Sequence, residues 1–289
     1  TNHQTLLLFT ESGRCFWLKV YEILEGGKAT AGRVIQNLLN IPKEDKIKAF
    51  IIVKSLKDEA FINAHYIVFC TRRGQIKKTL LEEYSRPRQG GINAITINEG
   101  DALIEARLTN GANEIILAVR SGRAIRFNET DVRAMGRTAA GVRGIQVDED
   151  SNDTVVGMVC VDPNDPNASI LAVSENGMGK RSALDEYRTQ TRGGKGVKTM
   201  QITEKTGPLV AIKSVEDTDD LMITTAAGIT IRTAVSEMRI MGRATQGVRI
   251  IRLDESDRIA DVAVVASGGE ENDNAENAQI PTDSNGQDA

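Results

Sequence analysis

The sequence predicts an all-β, propeller-like disc of four-stranded blades, and three observations carry that reading. Five segments share one layout of apolar run, glycine turn and alternating run: LLLFTESGRCFWLKVYEI, YIVFCTRRGQIKKTLLEEY, EIILAVRSGRAIRFNETDV, SILAVSENGMGKRSALDEY and DLMITTAAGITIRTAVSEM. They recur about every 50 residues, with room for about four strands in each period. Long helical periodicity is absent; only a helical turn after each hairpin is expected. Short units that bury their faces against neighbours point to radial blades, where repetition protects strand edges.

The elements follow in order within each unit. The first two strands flank a turn glycine at Gly13, Gly74, Gly122, Gly177 and Gly228, as a hairpin requires. Four positions on stand Trp17, Lys78, Arg126, Arg181 and Arg232; nine positions on stands an acid in every unit, Glu22, Glu83, Asp131, Glu186 and Glu237. A second glycine follows at Gly32, Gly91, Gly141, Gly196 and Gly247. It opens a third strand-like run, at 34–39, 92–97, 142–147, 197–202 and 248–253. A polar, acid-containing turn and a last apolar strand close the unit. The blades span about 5–53, 65–108, 114–161, 169–215 and 220–266, within a body of 1–266.

Composition narrows the function classes. The chain has 289 residues, 36 Lys plus Arg against 40 Asp plus Glu, and a net charge of −4. Its longest apolar runs are five residues, against the roughly 20 of a membrane span. The start, Thr1-Asn2-His3, shows no leader pattern, and the missing initiator Met suggests a fragment. Cys15, Cys70 and Cys160 stand far apart among apolar neighbours, as expected of reduced thiols, and no metal-ligand spacing exists. Residues 267–289 hold six acids and no Lys or Arg, which predicts a disordered acidic tail. The body is left with 36 basic and 34 acidic residues.

An acid present in all five units predicts a structural task, such as accepting backbone donors at a turn. No nucleophile–base arrangement is present, so no catalytic residue is expected. Gly27–Gly32 begins like a phosphate-binding loop, but Arg33 and Val34 stand where Lys and Ser/Thr are needed. The basic residues carry more information. Around the second glycine stand Lys28 and Arg33; Arg86 and Arg88; Arg133, Arg137 and Arg143; Arg188, Arg192, Lys195 and Lys198; Arg239, Arg243 and Arg249. With Lys78, Arg126, Arg181 and Arg232 they are the candidate DNA contacts. Equivalent positions on successive blades would form a positive belt suited to the phosphates of duplex DNA. Aromatics at 4% disfavour base stacking on single strands. No recognition helix or zinc finger is evident, so binding through phosphates and deformability is expected.

Residues Gln190-Thr191-Arg192-Gly193-Gly194-Lys195-Gly196 resemble the Q-R-R-G-G-K-G box in the C-terminal domain of the bacterial DNA gyrase A protein, with Thr191 replacing one Arg. VRAMGRTAAGVRGI (132–145) and GKRSALDEY (179–187) resemble that domain too, and the similarity covers about 1–266. The resemblance implies a β-pinwheel, with five blades visible of an expected six, that wraps DNA around its rim with positive handedness. It adds Gln190, Gly193, Gly194 and Gly196 to the candidate DNA contacts. It implies a non-catalytic segment of an ATP-dependent topoisomerase, with no cofactor here and with ATP and Mg bound elsewhere in the enzyme. The partners it implies are duplex DNA, the rest of the gyrase A protein and the gyrase B protein of a heterotetramer, in the bacterial cytoplasm.

Two departures stand out. The box lies in the fourth unit rather than the first, and the first unit resembles the family's second blade. Tyr21, Tyr66, Tyr84 and Tyr187 all fall inside repeats and are not strand-cleaving tyrosines. The acidic tail resembles family tails that temper wrapping. The alternatives are the matching domain of topoisomerase IV, which bends DNA without strong wrapping, and a propeller-like protein-interaction scaffold.

Overall fold

The computed structural model describes residues 3–23, 25–26, 32, 34–148, 152–254 and 256–266. Lys28, Arg33 and the acidic tail lie outside the described residues. Five antiparallel sheets form the blades of a pinwheel. Across its sheet, blade I runs Ile47–Val53, Thr5–Thr10, Arg14–Lys19 and the two-residue strand Ile92–Asn93. Blade II runs Leu103–Thr109, Tyr66–Thr71, Gln75–Leu80 and Val142–Arg143. Blade III runs Val155–Val161, Glu114–Val119, Arg123–Asn128 and Val197–Lys198, and blade IV runs Leu209–Val215, Ser169–Ser174, Met178–Ala183 and Val248–Arg249. The outermost strand of each of these four is donated by the next repeat. Blade V has three strands among the described residues, Ile259–Val265, Asp220–Thr225 and Thr230–Ala234.

Strand donation departs from the sequence expectation in extent. Of the runs after the second glycine, only the first two residues pair, with Ile92 opposite Cys15 and Val197 opposite Ala124. The chain then turns into the neighbouring hairpin, where the Ala94 amide donates to Gly13 O at 2.8 Å and the Thr199 amide to Gly122 O at 2.8 Å. In the first repeat, the run 34–39 contains a 3-10 turn, Ile35–Asn37, instead of a strand. Ile35 and Leu39 pack there with Leu8, Phe16, Leu18 and Ile41 on the outer face of blade I. The helical turns expected near each repeated acid are present as Val20–Glu22, Leu81–Tyr84, Glu129–Asp131, Leu184–Glu186 and Val235–Glu237. A six-residue α-helix not anticipated from the sequence, Glu59–Ala64, joins the first two repeats. Asp58 starts it by accepting the Phe61 amide at 3.1 Å, an N-cap that satisfies a free donor.

Apart from that cluster on the outer face of blade I, each hydrophobic core lies between two blades rather than within one. Leu7 and Phe9 of blade I meet Phe69 and Tyr84 of blade II, with the Phe9 and Phe69 rings edge to face at 5.1 Å. Val68 and Ile76 meet Ile115 and Phe127, Ile116 meets Ile170 and Tyr187, and Leu171 and Val173 meet Leu221 and Ile223. Strands of the middle blades are therefore buried on both faces, as in Glu114–Val119 and Ser169–Ser174. Asp220–Thr225 of blade V alternates between buried and half-buried positions. All the exposed large hydrophobics among the described residues belong to the end repeats: Tyr21, Ile23, Val34, Leu38, Phe50 and Ile52 in the first, Ile229, Ile240 and Val265 in the last. Each of these repeats packs against one neighbouring repeat among the described residues, where the middle repeats pack against two.

The three cysteines are free, and burial pushes the Cys15 and Cys70 thiols up. Among the described residues, no helix is long and apolar enough to cross a membrane.

The second glycine is where one repeat crosses the blade before it. Gly196 has φ +68°, and a Cβ there would sit 2.3 Å from Ala124 O. Gly32 holds the same place in the first repeat, where a Cβ would meet nothing within 4 Å. Gly196→Ala is expected to cost at least about 1–3 kcal/mol in urea unfolding. Gly32→Ala should stay within about 0.5 kcal/mol.

Candidate nucleic-acid interface

The last strands of consecutive blades pack against one another, which sets them around the disc's axis. The donated strands form the opposite edges and so the rim. Successive side chains of a strand point to opposite faces. In Val142–Arg143, Val197–Lys198 and Val248–Arg249 the valine is accordingly half-buried and the cation exposed. Arg133, Arg188 and Arg239 follow the 3-10 turns of the same three repeats and are also exposed. Lys195 is exposed beside the fourth repeat's crossing, and Arg86 and Arg88 flank the second repeat's. None of these nine cations makes an ion pair with a described residue. The third, fourth and fifth repeats thus place exposed cations at equivalent rim positions, none in an ion pair with a described residue.

A second group of basic residues holds the rim loops in place. The half-buried Arg192 donates from Nε to Asp131 O and from Nη1 to Arg143 O, both at 3.0 Å. Arg243 repeats this one unit later, with Nε to Glu186 O at 2.8 Å and Nη1 to Lys198 O at 2.5 Å. Arg137 Nε reaches the Glu83 carboxylate at 3.3 Å. Within the glycine-rich heptapeptide, the Gln190 amide donates to Arg126 O at 2.8 Å and the Gly193 amide to Gly144 O at 2.6 Å. Gly194 O accepts the Gln146 amide at 2.9 Å, and Gly196 makes the crossing over Ala124. Gln190, Gly193, Gly194 and Gly196 therefore join neighbouring repeats, while Lys195 points outward from the junction.

The bases four positions after the turn glycine are a correction to the sequence reading. Lys78, Arg126 and Arg181 are 7%, 9% and 5% exposed and do not reach the rim surface. Lys78 Nζ lies 3.7 Å from the buried Glu129 carboxylate and donates to Glu129 O at 3.1 Å. Arg126 pairs with Glu114 through Nε at 2.6 Å and donates to Leu184 O and Tyr187 O at 2.8 and 3.0 Å. Arg181 pairs with Asp217 at 2.6 Å and donates to Val235 O at 3.3 Å. Each crosses to the 3-10 turn of the next repeat, and Trp17 does the same in blade I, donating from Nε1 to Tyr84 O at 2.9 Å. Arg232 has no following repeat among the described residues; it is exposed and pairs with Asp220 at 2.6 Å.

The repeated acids also depart from expectation. Only Glu22 accepts a backbone donor among the described residues, from Lys19 at 3.0 Å. Glu83, Asp131, Glu186 and Glu237 are exposed beside the rim, because the 3-10 turn carries them outward. Two arginines that sequence reading missed also bind crossing segments. Arg14 donates to Gly90 O at 2.5 Å, and Arg123 to Lys195 O and Gly196 O at 3.0 and 2.7 Å. Their position directly after a turn glycine was the available signal. No cluster of three or more metal-ligating side chains occurs among the described residues.

These two classes separate in unfolding experiments. Removing one partner of a buried ion pair leaves a charge without compensation. Arg126→Ala, which leaves the Glu114 carboxylate without its counter-charge and removes a donor from Leu184 O and Tyr187 O, is expected to cost about 3–5 kcal/mol in denaturant unfolding. Arg133→Ala should change stability by no more than about 0.5 kcal/mol.

Comparison with known proteins agrees with this geometry. The family model described as DNA gyrase C-terminal domain, beta-propeller, matches residues 4–54, 65–110, 113–162, 168–216 and 219–266. The DNA gyrase A protein of Salmonella typhimurium is 42% identical over 264 residues, covering 91% of this chain and 29% of that protein. The gyrase A protein of Deinococcus deserti is 40% identical, covering 90% of this chain and 31% of that protein. The chain thus spans less than a third of the length of either relative. The solved C-terminal domain of DNA topoisomerase IV superposes with a TM-score of 0.81 at 25% identity, over 92% of this chain and 80% of that one. A DNA gyrase A C-terminal domain superposes with a TM-score of 0.76 at 24% identity, over 91% and 83%. Five repeats in one architecture and matches over nearly all of the body lead to one conclusion: this chain belongs to the DNA gyrase C-terminal domain family.

Proposed function

We propose that this chain is the DNA-wrapping domain of a gyrase A protein, binding duplex DNA along its rim. The carrying observation is the set of nine exposed rim cations without an ion-pair partner among the described residues. Six of them, Arg133, Arg188 and Arg239 with Arg143, Lys198 and Arg249, recur at equivalent positions, which suits a ligand whose negative charge repeats, and phosphate contacts release bound counterions. Nothing on the described rim resembles a base-reading element, so the duplex is held by its backbone and selected by its flexibility. Following a curved rim bends the DNA; bending a 20–30 bp site by 40–90° costs on the order of 1–6 kcal/mol. Phosphate contacts on several blades offset that cost.

In this reading the rest of the gyrase A protein and the gyrase B protein carry the strand passage, with ATP and Mg bound there, in a bacterial cytoplasm. A sixth blade would sit against the exposed Phe50 and Ile52 of blade I and beside Thr230–Ala234 of blade V, which has no donated strand among the described residues. Positive wrapping by the rim then gives the whole enzyme its direction toward negative supercoils. A second reading follows from the likeness to the topoisomerase IV domain: bending without a chiral wrap.

Ligation of nicked circular DNA in the presence of this chain separates the two, with a positive shift in linking number expected for wrapping. Tight, salt-sensitive binding with no shift would favour bending. Replacing Arg133 and Arg143 by Ala should weaken binding on every sequence and lower the slope of log affinity against log salt by about 0.9 for each lost phosphate contact. A loss confined to particular sequences would contradict backbone binding.

A further inference from the structure

Two lysines beneath the rim stand apart from the other basic residues. Lys77 and Lys180 are 0% and 1% exposed, and neither has a carboxylate within salt-bridge distance among the described residues. Both occupy the third position after a turn glycine, where the other blades carry Phe16, Ile125 and Ile231. An apolar side chain therefore satisfies packing at this position. Burying an ammonium group without a counter-charge is costly unless its donors are bonded.

Both lysines donate to the cation-bearing loop of the following repeat, and Lys77 also to a carbonyl of its own repeat. Lys77 Nζ donates to Arg137 O at 2.7 Å and to Ala94 O at 2.6 Å, and lies 5.7 Å from the centre of the Phe69 ring. Lys180 Nζ donates to Gly242 O at 2.8 Å and to Arg243 O. The first loop carries Arg133, Arg137 and Arg143; the second carries Arg239, Arg243 and Arg249.

We propose that Lys77 and Lys180 are positioning residues for DNA binding, which hold the rim loops of the third and fifth repeats and take up protons as phosphate docks above them. The proposal rests on the DNA-wrapping reading. The charged groups facing Lys77 are Arg137 from the next repeat and Glu83 from its own. Burial, then Arg137, brings Lys77 down to about 7, with Glu83 opposing. Burial brings Lys180 down to about 8, with Glu186 opposing and Arg243 adding to the fall. The nearby Tyr84 and Tyr187 hydroxyls are pushed up by burial and stay neutral across this range. A phosphate beside Arg137 or Arg243 offsets the repulsion that the arginine exerts on the ammonium. The protonated lysine is then favoured, so DNA binding takes up protons and weakens as pH rises from 7 towards 9.

The test uses the chain with His3→Gln and His65→Gln, which removes its only imidazoles. Affinity for a linear duplex at constant salt should fall up to about tenfold between pH 6.5 and 8.5. Calorimetry at pH 7.5 in two buffers of different ionisation enthalpy should show net proton uptake. Lys77→Met with Lys180→Met, matching the apolar residues of the other blades, should bind more weakly and lose the pH dependence. Salt-sensitive binding with a flat pH profile and no proton uptake would overturn the positioning role and leave DNA binding intact. Unchanged pH dependence in the folded Met variant would also overturn it. Absence of any duplex binding would overturn both readings. The calorimetry needs no lysine variant, so a misfolded variant does not decide the outcome.

Discussion

The pinwheel depends on a donor that crosses from the second strand of one blade to the turn of the next repeat. Trp17, Lys78, Arg126 and Arg181 fill that place in blades I to IV, each reaching backbone carbonyls of that turn, where Glu129 O, Leu184 O and Val235 O also accept an amide of the turn itself. A bond of this kind contributes about 0.5–1.5 kcal/mol, and because it spans two repeats it also constrains the angle between blades. Backbone bonds lie beside it: the Met135, Gln190 and Met241 amides donate to Lys78 O, Arg126 O and Arg181 O, each at 2.8 Å. On the axial side, the Leu103, Val155, Leu209 and Ile259 amides bind carbonyls of the preceding hairpin at 2.9–3.0 Å. Each blade is thus tied to the next at both of its edges.

This construction divides the basic residues into two populations with different surroundings. Lys77, Lys78, Arg126, Lys180 and Arg181, on the second strands of the middle hairpins, point into the junction, where carboxylates and carbonyls accept from them. Those after the 3-10 turn and on the donated strand point outward and keep their charge for solvent or a ligand. Between the two, Arg192 and Arg243 spend their guanidinium donors on the loop backbone, which orders the segments that carry Arg188, Lys195, Arg239 and Arg249. A loop fixed in advance loses less entropy when a polyanion binds, which favours affinity without adding contacts.

The two ends of the array show what the repeat needs from its neighbours. Blade V keeps the hairpin and the last strand, yet Thr230–Ala234 has no donated strand beside it among the described residues. Gly32 keeps the sequence position of the crossing, yet a Cβ there would meet no described atom within 4 Å. The same sequence signals produce buried, four-stranded blades in the middle and half-covered surfaces at the ends. Burial in this fold is therefore a property of the junction.

The repeat, the hairpins, the 3-10 turns and the all-β class were legible in the residues alone, because turn glycines and apolar alternation act through local geometry. So was the placement of Arg133, Arg143, Arg188, Lys198, Arg239 and Arg249 on equivalent positions. Which bases face solvent was settled by the packing of one repeat on the next. A four-residue offset from a glycine is the same whether the side chain meets water or a neighbouring blade, and Lys78, Arg126 and Arg181 met a neighbouring blade. The brevity of the donated strands was likewise settled in three dimensions. The run 142–147 has the apolar character of a full strand, but its later residues are buried by crossing to another blade rather than by pairing along one. Burial and charge compensation arise between repeats about 50 residues apart, and no local pattern records which partner a side chain finds there.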